Sequence, residues 1–105
     1  MKFTIRGSLP NLNDYITAER KNRYQAAAMK KQCESIVMHA ARSLGKWQAE
    51  GAVYMVYHWY EPNRRRDLDN ISSFGRKVIQ DALVKARVLR KKPRVVVEIL
   101  EVNDL

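Results

Sequence analysis

Seven consecutive residues, Arg64-Arg65-Arg66-Asp67-Leu68-Asp69-Asn70, concentrate the chemistry of this chain. Two carboxylates at i and i+2 in extended or turning backbone can point to the same side, which lets two oxygens share a hard divalent cation. Mg²⁺, or Mn²⁺ in its place, suits such a pair, because it takes few protein oxygens and completes its octahedron with waters and a substrate phosphate. The three arginines then hold an anionic backbone against the ion. A plainer reading competes with this one: helix capping plus salt bridges to the arginines. It accounts for Asp69 or Asn70 but leaves Asp67 without a role, and the residues alone leave both readings open.

The charge balance points the same way as the metal reading. Of 105 residues, 20 are Lys or Arg and 11 are Asp or Glu, a formal charge of +9 and a pI near 10.0. Residues 64–94 hold 11 of the basic groups and only 3 acids. Phosphate neutralisation by Lys and Arg draws affinity from counterion release, so a basic cluster of this density implies a nucleic acid or another phosphate-rich partner. The chain is of single-domain length, 46% hydrophobic, without an 18-residue apolar run, and its start MKFTIRGSLP lacks a secretion signal. A cytoplasmic protein with no membrane partner is expected. The lone Cys33 excludes an internal disulfide and a thiolate zinc site.

The elements that must carry these residues follow from periodicity. Lys2 to Arg6 alternates, with Phe3 and Ile5 on one face, and predicts a short first strand ending at Gly7. Leu12 to Leu44 is helical, with a stripe through Met29, Cys33, Ile36, Val37, Ala40 and Leu44. Asn11 or Asn13 is placed to cap it and Gly45 to end it, and its basic front part, Ala18 to Tyr24, leaves open whether it is one helix or two. Ala52 to Tyr60 is the strongest strand and is expected at the centre of a sheet. The seven-residue motif leads from it into a second helix reaching about Arg87, capped by Asp69 or Asn70. Ile71, Phe74, Gly75, Val78, Ile79, Ala82, Leu83 and Ala86 share its apolar half, with Ser73, Lys77, Gln80 and Asp81 opposite. Gly75 costs a helix about 1 kcal/mol relative to alanine and so implies close packing. A basic turn, Arg90 to Arg94, precedes a last strand, Val95 to Val102. The order β-α-β-α-β predicts an α+β domain over residues 1–105: a small mixed sheet of three to four strands with two helices on one face. Apolar second faces and an open edge predict that a second copy of the chain completes it as a homodimer.

RRRDLDN, followed in the helix by Lys77 and then Asp81-Ala-Leu, resembles the RusA family of Holliday junction resolvases of phages and prophages. The opening GSLPNLNDYITAERKNRY is similar to the N-terminal segment of phage members. The resemblance implies a homodimeric, Mg²⁺-dependent endodeoxyribonuclease that nicks four-way DNA junctions symmetrically in recombination and repair, without a small-molecule cofactor. Carried over, Asp67 and Asp69 resemble the paired metal carboxylates and Lys77 the essential lysine, although the family pattern brings a lysine nearer, where this chain has Ser73. The family's third carboxylate lies in an acidic turn after the second helix; here that turn is Arg90-Lys91-Lys92-Pro93-Arg94, which leaves three alternatives: Asp81, or Glu98 on the last strand, supplies the oxygen; the lysines add DNA affinity while cleavage weakens; or the chain binds branched DNA without cutting it. Arg64, Arg65, Arg66, Arg76, Lys91, Lys92 and Arg94 are the expected DNA-backbone contacts.

Other reactive residue types carry less. His39 and His58 lack a neighbour at metal spacing, Ser72 and Ser73 lack a histidine base, and Cys33 falls on an apolar stripe. Tyr54, Tyr57, Trp59, Tyr60 and Trp47 divide between packing and stacking on unpaired bases, with Trp59 and Tyr60, near the strand's end, the ones placed for stacking. Arg20-Lys21-Asn22-Arg23-Tyr24 reads equally as a solvated helix face and as a second DNA contact.

Overall fold

The computed structural model describes residues 1–7, 9–51, 53–62, 65–91, 93 and 95–102, and the order of elements among them is helix, helix, strand, helix, strand. Helix α1 spans Leu12–Lys21 and α2 spans Arg23–Ala41, extended by a 3₁₀ turn, Arg42–Leu44, that ends at Gly45 in a positive-φ conformation. Strand β1 spans Tyr54–Glu61, helix α3 Leu68–Lys85 and strand β2 Val95–Val102. The architecture is α+β, with three helices against a two-stranded sheet.

Two departures from the sequence expectation have a common cause. Residues 2–6 join no sheet, so the described residues hold two strands rather than three or four, and β1 lies at an edge rather than the centre. Phe3 and Ile5 nonetheless pack against the core while Lys2, Thr4 and Arg6 stay exposed. Alternation records which side chains are buried; a ladder also needs a neighbouring strand.

The long first helix is two helices because Asn22 interrupts it in an extended conformation. Its N–H closes α1 on the Ala18 carbonyl (3.1 Å) and its Oδ1 opens α2 by accepting from the Gln25 N–H (2.8 Å). An asparagine side chain can replace backbone partners in this way, which makes it a cap at both ends at once. Asn11 starts α1 through a reciprocal box with Asp14, whose N–H donates to Asn11 Oδ1 at 2.9 Å. The α2 stripe turns inward at Ala26, Cys33, Val37 and Ala41, and Ile36 faces outward.

The strands run parallel, in the register Tyr54↔Val95 through Glu61↔Val102, so β1, α3 and β2 form a βαβ unit. Val78, Ile79, Ala82 and Leu83 of α3 meet Val37 and Ala41 of α2 and Tyr57 of β1 in one core. Gly75 permits this packing: a Cβ there would lie 2.8 Å from Trp59 Cη2. At its far end α3 closes with Val88 N–H to Leu83 O (2.9 Å) and Arg87 N–H to Val84 O (3.1 Å), the paired bonds of a Schellman turn, with Arg87 at φ 62°.

Candidate nucleic-acid and metal site

The motif leaves the carboxyl end of β1 and enters α3, the place where parallel α/β units present ligand-binding loops. Asp67 is the helix cap, its Oδ1 accepting the Asn70 N–H at 2.8 Å. The cap therefore sits two to three residues earlier than Asp69 or Asn70, because the Asp-x-x-Asn spacing brings the third N–H of the helix to the carboxylate. The residue that capping had failed to explain is the one that caps. Asp69 lies in the first turn, exposed, and its carboxylate makes no bond among the described residues; its backbone carbonyl accepts the Ser73 hydroxyl.

This entry to α3 is tied to a segment 57 residues away in sequence. Asn70 Oδ1 accepts the Asn13 N–H at 3.3 Å, and Arg66 Nη2 donates to the Leu9 carbonyl at 3.2 Å. Arg66 also meets the buried Glu61 carboxylate with its Nε at 3.1 Å, a contact of charges without hydrogen-bond alignment. Leu9, Asn13 and Glu61 were not legible as site residues. A side chain reaching a distant backbone leaves no periodic signal, and Glu61 closes a strand as an ordinary polar residue does.

The remaining candidates are held elsewhere. Lys77, largely exposed, lies 4.0 Å from Asp81, which also pairs with Lys30 at 3.4 Å. At 1.5 Å of rise per residue, Lys77 stands about 12 Å and Asp81 about 18 Å along α3 from Asp69. The helix is unbroken between them, so Asp81 does not join Asp67 and Asp69 around one ion. Lys77 can reach back toward the first turn but not onto it. Glu98 pairs with Arg76 at 3.4 Å, opposite Tyr57 in the register. Among the described residues there is no group of three His, Cys, Asp or Glu side chains able to hold a metal. Arg65 and Lys91 are exposed; Arg64, Lys92 and Arg94 lie outside the described residues.

The two aspartates fit a hard cation that keeps most of its waters. Capping engages one oxygen of Asp67, the Asp69 carboxylate is open to solvent, and neither side chain forms an ion pair among the described residues. Other reactive types offer no competing centre. Burial pushes the Cys33 thiol up from its ordinary pKa, with the Glu34 carboxylate adding to the effect. His58 pairs with Glu101 at 2.8 Å and stacks on Tyr60. Trp59 is partly buried against Gly75 and stacked on Tyr57, so it belongs to the packing, whereas Tyr60 is 69% exposed. No described helix is long and apolar enough to cross a membrane. Compared with known proteins, the chain matches no family model, no curated protein and no solved structure.

Proposed function

We propose that this chain is a divalent-metal-dependent endonuclease acting on branched DNA, a resolvase of four-way junctions that works as a homodimer. One observation carries the reading: Asp67 and Asp69 lie two residues apart after the carboxyl end of a parallel strand, in a basic segment, with one oxygen of Asp67 and both of Asp69 unbonded among the described residues. The resemblance of RRRDLDN and the helix after it to junction resolvases supplies the reaction class.

Asp67 and Asp69 would hold Mg²⁺ or Mn²⁺, which when bound supplies positive charge at the scissile phosphate and a water of lowered pKa. The rest falls to the chain. Arg66, fixed by Glu61 and the Leu9 carbonyl, keeps the loop in shape, and Arg65 meets the backbone beside the cut. Lys77, about two helical turns on, reaches a neighbouring phosphate, and Arg76, Lys91 and the arginines and lysines flanking these elements extend the grip.

A second copy of the chain covers the open sheet face. Tyr54, Val56, His58 and Tyr60 of β1 and Val95, Val97, Ile99 and Glu101 of β2 face outward, six of them exposed large hydrophobics. Parallel sheets are buried on both faces, and a two-stranded sheet is marginal alone. In a chain of charge +9 this face carries one internally paired His58 and Glu101 and no Lys or Arg. DNA gains nothing there, while two basic copies can approach each other across a surface without their like charges.

Binding without cleavage is the second reading, favoured by the ion pairs that engage Asp81 and Glu98 and leave two carboxylates where the resembled family uses three. Incubating a labelled four-way junction with the protein, with and without Mg²⁺ or Mn²⁺, separates the two. Symmetric nicks that need the ion and vanish in Asp69→Asn, while binding persists, support the nuclease. Tight junction binding with no nicking in either ion supports the second reading.

A further inference from the structure

We infer that the corner between α1 and α2 is a second nucleic-acid contact, which grips a DNA strand with Arg20, Lys21 and Arg23 and stacks an unpaired base on Tyr24. The inference rests on the nucleic-acid reading above and adds a site to it. All four residues are exposed, and Tyr24 is 73% exposed. Arg23 lies over the Tyr24 ring at 5.3 Å from its centroid and reaches the hydroxyl with Nη2 at 3.5 Å, so one face of the ring is backed by a guanidinium and the other is open. An aromatic ring held this way receives a base on its open face, with the cation adding to the stack.

The charges are uncompensated. Arg20 and Lys21 suit the carboxyl end of α1, where the helix dipole is negative. Arg23 occupies the first position of α2, the positive end, and no acid stands in that turn. None of the three makes an ion pair with an acid among the described residues, Glu19 included. A cation placed against a dipole and left unpaired marks a surface whose anion comes from outside the chain.

The position gives the contact a use. The amino end of α1 is fixed to the candidate site by the Asn13 N–H on Asn70 Oδ1 and by Arg66 on the Leu9 carbonyl. Helix α1 is 10 residues long, so its basic end stands about 15 Å along the helix from the amino end that is anchored at the site. That spacing corresponds to four or five base-pair steps along a duplex, enough to hold one arm or a displaced base while the aspartates face the backbone.

The test is fluorescence anisotropy across a salt series with two labelled probes, a four-way junction carrying unpaired thymines at its centre and a duplex of equal length. The proteins are wild type, the triple variant Arg20→Ala/Lys21→Ala/Arg23→Ala, Tyr24→Ala and Tyr24→Phe, each checked for folding by circular dichroism. The triple variant is expected to lower the magnitude of the log K against log salt slope by about two to three on both probes, near 0.9 per lost phosphate contact. Tyr24→Ala should weaken junction binding about ten-fold and leave duplex binding unchanged, and Tyr24→Phe should match wild type. Wild-type slopes in the triple variant, or equal affinity for both probes in Tyr24→Ala and wild type, would overturn this contact while leaving the nuclease reading intact. Failure of the wild type to bind either probe would overturn both.

Discussion

The proposed function gives Asp67 a second duty beside its cap, and a short series of substitutions at this position pulls the two apart. Its Oδ1 accepts the Asn70 N–H at 2.8 Å, and the loss of such a cap costs about 1 kcal/mol. In a domain of this length that lowers Tm by about 4–8 °C. Asp67→Ser and Asp67→Asn retain an oxygen able to cap, so each should lie within about 0.5 kcal/mol of wild type, the residue being the lost negative charge at the helix amino end. Asp67→Ala should show the whole loss. Metal binding follows the other order, because neither serine nor asparagine supplies a carboxylate. All three variants should therefore lose at least about 100-fold in Mg²⁺-dependent junction cleavage, irrespective of their Tm. Asp69→Asn, with no capping duty, should behave like Asp67→Asn in both measurements. Thermal unfolding followed by circular dichroism and single-turnover cleavage of a labelled junction provide the two axes. Full cleavage by Asp67→Asn would remove Asp67 from the metal site, and an Asn variant as unstable as Ala would show that the cap does not stabilise α3.

Other expectations concern packing and assembly. Gly75→Ala raises helix propensity by about 1 kcal/mol but drives a Cβ to 2.8 Å from Trp59 Cη2, and the ring is held by its stack on Tyr57; overpacking of about 1–3 kcal/mol should win, and a higher Tm in this variant would contradict the packing. Arg87→Gly relieves a left-handed arginine in the turn after α3 and should raise stability by up to about 1 kcal/mol in urea titration. Val97→Asp puts a charge on the open sheet face: sedimentation equilibrium should show the wild type at twice the chain mass and the variant at the chain mass, with the variant's fold intact. A wild-type monomer at micromolar concentration would exclude the sheet-face dimer.

What the sequence revealed and what it hid divide along physical lines. Helix α3 and strands β1 and β2 were legible because burial imposes a period of 3.6 or 2, and the packing reason for Gly75 followed from its cost in a helix interior. Lys2 to Arg6 shows the limit of that signal, since Phe3 and Ile5 keep the period with no strand beside them among the described residues. Asn22 hid the break between α1 and α2, because one asparagine serves both helix ends and neither glycine nor proline marks the place. Arg87 occupies a conformation that favours glycine, so nothing in its identity announces the Schellman turn. At the candidate site, the aspartate pair and its place after a strand were readable. The links from Arg66 to Leu9 and from Asn70 to Asn13 were not, because they join segments far apart in sequence through single side chains.

The ion pairs that engage Asp81 and Glu34 also fix how α2 meets α3. Lys85 of α3 donates to the buried Glu34 carboxylate of α2 at 2.7 Å, while Lys30 stands 4.0 Å from Glu34 and 3.4 Å from Asp81. A buried carboxylate with one short partner depends on that partner, so Lys85→Ala should destabilise the fold more than Lys30→Ala does. The hydrogen bond to Glu34 is also the main reason that the Lys85 pKa lies above its ordinary value. The sign of the pH dependence follows. A lysine whose pKa rises on folding stabilises the folded chain fully below its unfolded pKa, near 10.4, and that contribution disappears as pH climbs through the higher folded value. The stability difference between wild type and Lys85→Ala, measured by urea unfolding, should therefore be constant from pH 7 to 9 and shrink above pH 10.5. A difference that stayed constant above pH 10.5 would mean that Lys85 acts through the packing of its stem rather than through its charge.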